Sequence, residues 1–472
     1  PRAGPRARSP VTIRPVAEDE AAPEIVDRAM DRAAGSRPVP GNRVTLLYDG
    51  PQIYPAMLER IAAARRWVHF DNYIIRSDAT GILFADALIE RARAGVAVRV
   101  LTDWVGSVTT RRSYWRRLRE GGVSVRIFNP PNLLRLRQNL TRDHRKLVVV
   151  DGITAVTGGH CIGDEWAGHT ERNRQPWRDT AVAVDGPAAV LMDQAFDTVW
   201  RLVGEGLDES ELLAEAPEQG DSSIRVVAGE PGGVRASRAT ELLLAGASER
   251  IWLTDAYLVA PPGIYQSLID AARGGVDVRL LVPGTSDLTH LQSWTRMGYV
   301  DMLRGGIKIY EWRGPMLHAK SIVVDGRWIR VGSSNLNLSS LVANFELDII
   351  AEDQSLALEM ESQFRRDTER SAEIRLRGPA FTGGRRRRSM IAPEPVLASI
   401  PHRPGLRERR GRAVVAMQQI LGSARRTVLL PYSIALAILG VLFLFFPHVM
   451  AVVFAALSLW LALAAWLDGR TS

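Results

Sequence analysis

The chain has 472 residues, a length that predicts two or three domains rather than a single core. Its apolar fraction of 46% and charged fraction of 24% exclude wholesale disorder, a collagen-like chain and a disulfide scaffold, and its single cysteine excludes a cysteine-rich zinc site. The net charge of +8 is local, because residues 365–426 hold 16 Arg and five acidic residues and leave the rest of the chain at −3.

The N-terminal residues 1–18 are rich in Pro, Arg and Ala and show no apolar periodicity. We expect this segment to be a disordered lead, since it cannot bury enough apolar surface to fold. It also lacks the apolar stretch of a signal peptide, so no signal peptide is expected in this sequence.

The middle of the chain contains an internal repeat. Residues 92–101 combine a helix end, a glycine stop and a β-branched strand, and residues 272–281 repeat the same pattern. Other matching segments follow in the same order, and strands alternate with helices throughout. We therefore predict two copies of an α/β domain, residues 19–205 and residues 206–370, with a helical segment near 190–215 at their junction.

Each predicted copy carries the same cluster of a histidine, a lysine two residues later, an aspartate and then a pair of small residues. The cluster comprises His144, Lys146, Asp151 and Gly158-Gly159 in the first copy, and His318, Lys320, Asp325 and Gly332-Ser333 in the second. Because side chains alternate along a strand, each histidine and its lysine are expected to point to the same face. The Asp-Gly pairs predict the tight turn of a β-hairpin.

The lysines of these clusters are informative because the chain otherwise avoids lysine. Only three of the 60 basic residues are lysines, and two of the three are Lys146 and Lys320. Lysine offers a compact point charge to a phosphate oxygen. A lone His-x-Lys sequence is usually an ordinary surface strand, but two copies at equivalent positions of a repeat favour a phosphate-handling site.

Two apolar segments lie near the C-terminus, at residues 428–446 and 449–467, each with 19 residues and no charge. At 1.5 Å per residue each helix would be ~28 Å long, close to the thickness of a hydrocarbon core. We predict two transmembrane helices within residues 427–468, preceded by an Arg-rich linker at 371–426 that contacts anionic lipids. The alternative for the two apolar segments is a buried soluble hairpin, and the alternative for the Arg-rich segment is a solvated linker without lipid contact. Basic flanks tend to stay cytoplasmic, which places the N-terminal part there too.

The twin His-x-Lys-x4-Asp motifs resemble those of the phospholipase D superfamily over most of the two copies. Within them, residues 158–166, 177–180 and 344–347 are similar to bacterial cardiolipin synthases. This resemblance implies two tandem α/β/α sandwich repeats with the active site between them. One departure is Cys161, where the family usually has asparagine, so one donor to the phosphate is missing in the first copy while Asn335 keeps it in the second.

The resemblance also implies roles for the motif residues. His144 becomes the nucleophile that forms a phosphohistidine, and His318 protonates the leaving alkoxide and then activates the second alcohol, although the likeness of the two copies leaves the reverse assignment open. The groups expected to bind the phosphate are Lys146, Lys320, Asn335, Gly159 and Ser333. Asp151 and Asp325 belong to the catalytic motif, with a role in the turn and the lysine environment favoured over proton transfer.

Two acidic residues each open an apolar strand after a motif. We expect these residues, Asp179 and Glu346, to orient the histidines, with ordinary strand-end carboxylates as the alternative. His160 and His169 lie close enough in sequence to line the mouth of the site, although a structural role is the alternative for a lone histidine in a loop. No metal and no cofactor is expected.

The expected function is that of a membrane-bound phosphatidyltransferase that converts two phosphatidylglycerol molecules into cardiolipin and glycerol. A phospholipase D hydrolase, with water as acceptor, is the near alternative. A nuclease would require a basic catalytic domain, which the charge of −3 outside residues 365–426 disfavours, and a non-enzymatic membrane scaffold is disfavoured by the intact second motif. The expected partners are phospholipids and a membrane, without nucleic acid and with no protein partner indicated, on the cytoplasmic side of a bacterial inner membrane.

Overall fold

The computed structural model describes residues 21–131, 141–168, 174–376 and 459–460. The chain divides into two compact units, the first containing residues 1–132 and 137–376 and the second residues 133–136 and 377–472. Among the described residues, no helix is both long enough and apolar enough to cross a membrane. The two predicted transmembrane segments, apart from residues 459–460, lie outside the described residues, as does nearly all of the Arg-rich linker.

Strands and helices alternate along the first unit. The elements up to residue 200 are α1 (Ala21–Ala34), β1 (Val39–Tyr48), α2 (Asp49–Ala63), β2 (Trp67–Asn72), α3 (Ala79–Arg93), β3 (Ala97–Asp103), α4 (Arg112–Glu120), β4 (Ser124–Phe128), β5 (Lys146–Val150), β6 (Thr154–Gly158), α5 (Asp164–Ala167), β7 (Thr180–Asp185) and α6 (Ala188–Trp200). Short 3₁₀ turns at Arg201–Val203 and Glu209–Glu211 lead into the second repeat.

The second repeat runs through the same sequence of elements. They are β8 (Ser222–Gly229), α7 (Arg235–Ala245), β9 (Arg250–Asp255), α8 (Pro262–Arg273), β10 (Asp277–Pro283), α9 (Thr289–Met297), α10 (Tyr299–Arg304), β11 (Lys308–Trp312), β12 (Lys320–Val324), β13 (Trp328–Gly332), β14 (Glu346–Glu352), α11 (Gln354–Glu369) and β15 (Ser371–Ile374). A π-helical turn, Ser339–Ala343, lies between β13 and β14.

All fifteen of these strands form one sheet, in the order β15-β11-β10-β9-β12-β13-β14-β8-β1-β7-β6-β5-β2-β3-β4. Outward from the antiparallel β1–β8 pair, the two halves have the same strand order, and β15 is an addition at one edge. In each half a parallel trio, β2-β3-β4 or β9-β10-β11, continues into antiparallel strands. The predicted internal repeat is confirmed.

Helices cover both faces of the sheet, which makes an α/β/α sandwich of each repeat. On one face, α6 and α11 pack into a hydrophobic core shared by both repeats, with Phe196 and Phe364 among its members. On the other face each repeat has its own core, built with α2, α3 and α4 in the first repeat and with α7, α8 and α10 in the second. Since both faces are covered, every residue of β5 and β12 is buried.

Three boundaries differ from the sequence prediction. Helix α1 packs on the second repeat, where Met30 joins the core of α7 and the buried Arg225 of β8 pairs with Asp27 and Asp31 at 3.3 and 2.8 Å. Strand β15 pairs with β11 inside the range predicted as linker, so the second repeat extends to at least Ile374. The junction helix α6 ends at Trp200 rather than near residue 215.

Candidate active site

The motif histidines lie where backbone segments of the two repeats meet. The N–H of His144 donates to the carbonyl of Phe345 at 2.9 Å, and the N–H of His318 donates to the carbonyl of Arg178 at 2.7 Å. In each case the partner belongs to the other repeat. The two lysines begin β5 and β12, and they pair across the sheet with the last residues of β2 and β9. Both His-Lys pairs therefore lie at the carboxyl ends of the parallel strands, the usual position of sites in α/β sheets.

Each motif histidine is hydrogen-bonded to a carboxylate of the other repeat. His144 Nδ1 lies 2.9 and 3.1 Å from the two carboxylate oxygens of Glu346, and His318 Nδ1 lies 2.9 Å from Asp179 Oδ2. Because a carboxylate can only accept, these contacts favour the neutral tautomer with the proton on Nδ1 and the lone pair on Nε2. At His318 two more donors, Trp166 Nε1 and Lys320 Nζ, lie 3.4 and 3.2 Å from the same Nδ1. The two acidic residues predicted to orient the histidines thus lie at hydrogen-bond distance from them, and the pairing crosses between repeats.

The environment of Glu346 explains how its carboxylate is held. Ser333 donates its hydroxyl proton to Glu346 Oε2, while the Ser333 N–H donates to the carbonyl of Leu347 at 3.0 Å. Burial acts to raise the pKa of Glu346, but His144 and Lys146 more than offset it and keep the pKa below its usual range. Both donors of Ser333 are used within the fold, and phosphate binding by this serine stays a prediction.

Gly159 lies next to Asp179, as Ser333 lies next to Glu346. An added Cβ at Gly159 would collide with Asp179 Oδ1, so only glycine fits against this carboxylate. The Gly159 N–H donates to the carbonyl of Thr180 at 3.1 Å, as part of the β6–β7 ladder. Phosphate binding by Gly159 stays a prediction.

The two motif lysines are buried side by side with the histidines. Each ammonium donates to the carbonyl of its own motif histidine, Lys146 to His144 and Lys320 to His318. Burial, together with the positive charge of Lys146 from the other repeat, lowers the pKa of Lys320 to about 8 although Asp179 opposes the shift. Two ammonium groups from different repeats thus converge on one site, where they suit a phosphate diester.

Both histidines are neutral near pH 7 in this geometry. Burial lowers the pKa of His144, with Glu346 opposing the shift and both motif lysines adding to it. Burial also lowers the pKa of His318 to about 4, and Lys320 acts in the same direction. A neutral imidazole with a free Nε2 lone pair is a competent nucleophile or base.

Aromatic rings surround the histidines and were not predicted from the sequence. The ring of Tyr73 lies 4.8 Å from that of His144. The rings around His318 belong to Trp166, Trp177 and Tyr257, at centroid distances of 5.5, 5.8 and 5.9 Å. The sequence does contain a signal for the two tyrosines, because each lies two residues after an aspartate near the end of a strand, Asp71 in one copy and Asp255 in the other.

The motif aspartates lie at the opposite end of the hairpins, five residues along the strand from the lysines and therefore roughly 16 Å away. Asp151 accepts hydrogen bonds from the backbone N–H groups of residues 65–67, and Asp325 does the same with residues 248–250. Both adopt positive φ, 54° and 53°, as the turn requires. They anchor the hairpin turn, which agrees with the turn role favoured for them from the sequence, and their place among the catalytic residues stays a prediction.

The remaining predicted site residues have mixed placements. Cys161 is buried, its carbonyl accepts from the Tyr54 hydroxyl at 2.5 Å, and burial raises the pKa of its thiol. His160 is fully buried with neither ring nitrogen hydrogen-bonded, so it does not line an accessible mouth. Asn335 is buried with an unpaired Oδ1, and His169 lies outside the described residues. Within 21–131, 141–168 and 174–376, no three potential ligand side chains are grouped to hold a metal ion.

Comparison with known proteins gives a consistent result. The family model described as "Cardiolipin synthase, PLD-like domain" matches residues 57–200 and 242–368. Cardiolipin synthase A of Pseudomonas aeruginosa is 33% identical over 351 residues, which cover 74% of this chain and 71% of that protein. Cardiolipin synthase 2 of Bacillus cereus is 31% identical over 357 residues, covering 74% and 69%.

Among solved structures, the phosphatidylserine synthase of Haemophilus influenzae Rd KW20 superposes with a TM-score of 0.60 over 74% of this chain and 92% of that chain. Its sequence is 14% identical, so the likeness concerns the fold.

Proposed function

The chain belongs to the family of cardiolipin synthases with phospholipase D-like domains and is a phosphatidyltransferase of that kind, and from this premise we propose that it joins two phosphatidylglycerol molecules into cardiolipin and glycerol through a phosphohistidine. The observation that carries the proposal is the cross-paired arrangement of His144 with Glu346 and of His318 with Asp179. Two imidazoles with free Nε2 atoms, flanked by two ammonium groups, suit a double displacement at phosphorus.

In the first half-reaction, Nε2 of His144 attacks the phosphorus of one phosphatidylglycerol, and the bond to the headgroup glycerol oxygen breaks. His318 supplies the proton that the departing alkoxide takes up. Although the pKa of His318 is about 4 in the free site, a bound anionic phosphate next to it favours the imidazolium. The bifurcated hydrogen bond from His144 Nδ1 to both carboxylate oxygens of Glu346 supports this division of labour, because the carboxylate stabilises the positive charge that develops when His144 attacks.

The two ammonium groups stabilise the negative charge of the transition state. Lys146 and Lys320 hold the non-bridging oxygens of the five-coordinate phosphorus. Asn335 adds an amide N–H donor from the second repeat, where the first repeat has Cys161 instead. In the second half-reaction, neutral His318 removes the proton of a glycerol hydroxyl on the second phosphatidylglycerol. That oxygen attacks phosphorus, the P–N bond to His144 breaks, and cardiolipin forms.

The proposal includes a membrane location. The apolar segments 428–446 and 449–467 would form two transmembrane helices, with the Arg-rich segment before them on anionic lipid. The catalytic unit would then lie on the cytoplasmic side of a bacterial inner membrane, beside its lipid substrates.

The test is an analysis of products from the purified full chain in mixed micelles with phosphatidylglycerol. We expect cardiolipin and glycerol in equal amounts, with the rate unchanged by EDTA, because the chain's own ammonium groups and imidazoles supply the positive charge. Phosphatidic acid as the main product would favour the hydrolase. Loss of activity in EDTA that a divalent ion restores would contradict the metal-free mechanism.

A further inference from the structure

Exposed apolar side chains collect at the sheet edge that carries the motif histidines. Val105 and Val108, in the loop after β3, are 42% and 58% exposed. Leu288 and Trp294, in the segment after β10, are each 47% exposed, and Leu338, after β13, is 66% exposed. Since β3, β10 and β13 all end at the edge where β5 and β12 begin, these five residues, here called the apolar rim, share that edge.

In the first repeat the apolar rim is connected to the site through one tyrosine. The loop that holds Val105 and Val108 packs on Tyr73, where Gly106 fits against the Tyr73 carbonyl and Ser107 Oγ lies 3.5 Å from it. The Tyr73 ring in turn contacts His144. Tyr73 thus contacts both the loop that carries the two valines and the motif histidine.

The second repeat repeats this connection through Tyr257, whose ring contacts His318. The Tyr257 hydroxyl donates to Asp287, the neighbour of Leu288, at 2.7 Å. Its carbonyl accepts from the side chain of Asn337, the neighbour of Leu338, at 3.3 Å. Both halves of the site therefore have exposed apolar side chains just outside the tyrosine that touches the histidine.

Positive charge accompanies the apolar rim. Arg111 and Arg112 follow the β3 loop, and Arg313 follows the end of β11 at the same edge; all three are exposed. Within residues 21–131, 141–168 and 174–376, no acidic side chain forms an ion pair with any of the three. Exposed apolar residues with unpaired cations beside them complement an anionic lipid surface, and tryptophan is favoured at that interface.

We propose that the apolar rim inserts into the headgroup layer of an anionic bilayer and holds the His-Lys site against it, so that substrate lipid enters without crossing water. This inference rests on the proposed function, and it assigns a docking surface to the catalytic unit itself, separate from the C-terminal apolar segments. A bilayer is the favoured occupant because the apolar rim shares the sheet edge of a site whose proposed substrates are themselves anionic lipids.

The first experiment measures insertion directly in the full chain, reconstituted in vesicles of phosphatidylglycerol and phosphatidylcholine. The only native cysteine, Cys161, is buried, so a polarity-sensitive fluorophore reports selectively on Val108→Cys or Leu338→Cys. The matched control is Leu358→Cys. Leu358 is 49% exposed and lies in α11, a helix that begins at the opposite edge of the sheet. We expect headgroup-level spin-labelled lipid to quench the two rim positions at least ~2-fold more than the control. Equal quenching at all three positions would overturn the proposal.

The second experiment compares cardiolipin formation from vesicles with formation from dissolved short-chain phosphatidylglycerol. For Val108→Glu and Leu338→Glu the vesicle-to-dissolved ratio should fall by ~10-fold or more, since a buried apolar side chain is exchanged for a charge. Leu358→Glu should keep the wild-type ratio. If wild type forms no cardiolipin from either substrate, the proposed function fails. If wild type is active and the rim variants keep its ratio, the function stands and the rim serves another partner, such as a protein, which overturns the docking inference.

Discussion

Each motif histidine takes its orienting carboxylate from the opposite repeat. His144 depends on Glu346, which Ser333 holds in turn, and His318 depends on Asp179, which fits only against Gly159. Removing the carboxylate of one repeat should therefore reduce the catalytic function of the histidine that belongs to the other repeat. Under the proposed mechanism, single substitutions should therefore separate the two halves of the reaction.

The roles of the histidines can be separated by covalent labelling. His144→Ala should abolish phosphatidyl transfer to the protein, because only the nucleophile carries phosphorus. His318→Ala should still become labelled by a substrate with a nitrophenol leaving group, which needs little protonation, while cardiolipin formation falls at least ~100-fold in both variants. Mass spectrometry of the labelled protein is the measurement. Labelling of His144→Ala but not of His318→Ala would show that the roles are reversed.

The orienting carboxylates give a matched pair of variants. Glu346→Gln should reduce labelling of His144 by the activated substrate, since the amide no longer stabilises a positive imidazole. Asp179→Asn should leave that labelling largely intact and slow the transfer to the second alcohol, by ~100-fold or more as expected for lost general-base catalysis. Single-turnover kinetics separate the two steps. Equal effects of both variants on both steps would contradict the cross-paired assignment.

The pH dependence should report on Lys320. Burial lowers the pKa of its ammonium to about 8, so the charge that holds the phosphate is present below that pH and is lost as the pH rises through it. The rate of cardiolipin formation should therefore fall above pH 8. Lys320→Arg should be slower but should lose this alkaline limb, because arginine stays charged. The exposed lysine provides the control, since Lys308→Arg should retain the wild-type profile.

At the scale of elements, the paired hairpins β5–β6 and β12–β13 are the parts that position both His-Lys pairs. Each hairpin turn is held by an aspartate that accepts from three successive backbone amides at the start of β2 or β9. The site and the anchor are thus at opposite ends of the same strands. Substitution of the anchor should consequently affect stability much more than chemistry.

Asp325→Asn tests this separation. Burial acts to raise the pKa of Asp325, but hydrogen bonds from three backbone amides outweigh it and lower the pKa below 3.8. Its stabilising effect is therefore present above pH 3.8 and is lost as the pH falls below it. We expect unfolding at pH 7 to become easier by about 1–3 kcal/mol, with the cardiolipin-forming rate of the folded enzyme within ~3-fold of wild type. Denaturant titration measures the first, and Asp208→Asn, on an exposed carboxylate, is the control.

Much of this arrangement can be predicted from the sequence, because repeats, turn dipeptides and alternation are local signals. The hairpins and the proximity of Asp179 and Glu346 to histidines are of this kind. Which histidine each carboxylate meets is a tertiary property, and neither spacing nor composition encodes it. The N–H partners of Gly159 and Ser333 are equally hidden from the sequence, since both groups donate to neighbouring strands that only the folded sheet defines. Packing of α1 on the second repeat is likewise set by long-range contacts.

At the scale of the whole chain, the proposed membrane topology is testable with reporters. Two antiparallel helices would return the chain to the side on which the Arg-rich segment lies, and basic flanks stay in the cytoplasm. A reporter that is active only in the cytoplasm should therefore give a signal both when fused after Ser472 and when inserted near residue 390. Reporters that require a periplasmic location serve as the matched control at the same positions. A periplasmic signal from either position would contradict two antiparallel transmembrane helices.

The pairing of β1 with β8 has a consequence for how the two repeats could change over evolutionary time. A single repeat would expose β1 as an open edge, and two identical copies would close that edge as a symmetric dimer, with every substitution present twice. Covalent fusion removes that constraint, because each position then occurs once. Cys161 and Asn335, at equivalent positions of the two motifs, are such a difference: one copy has a thiol where the other has an amide. A fused dimer can thus hold one site whose two sides specialise independently.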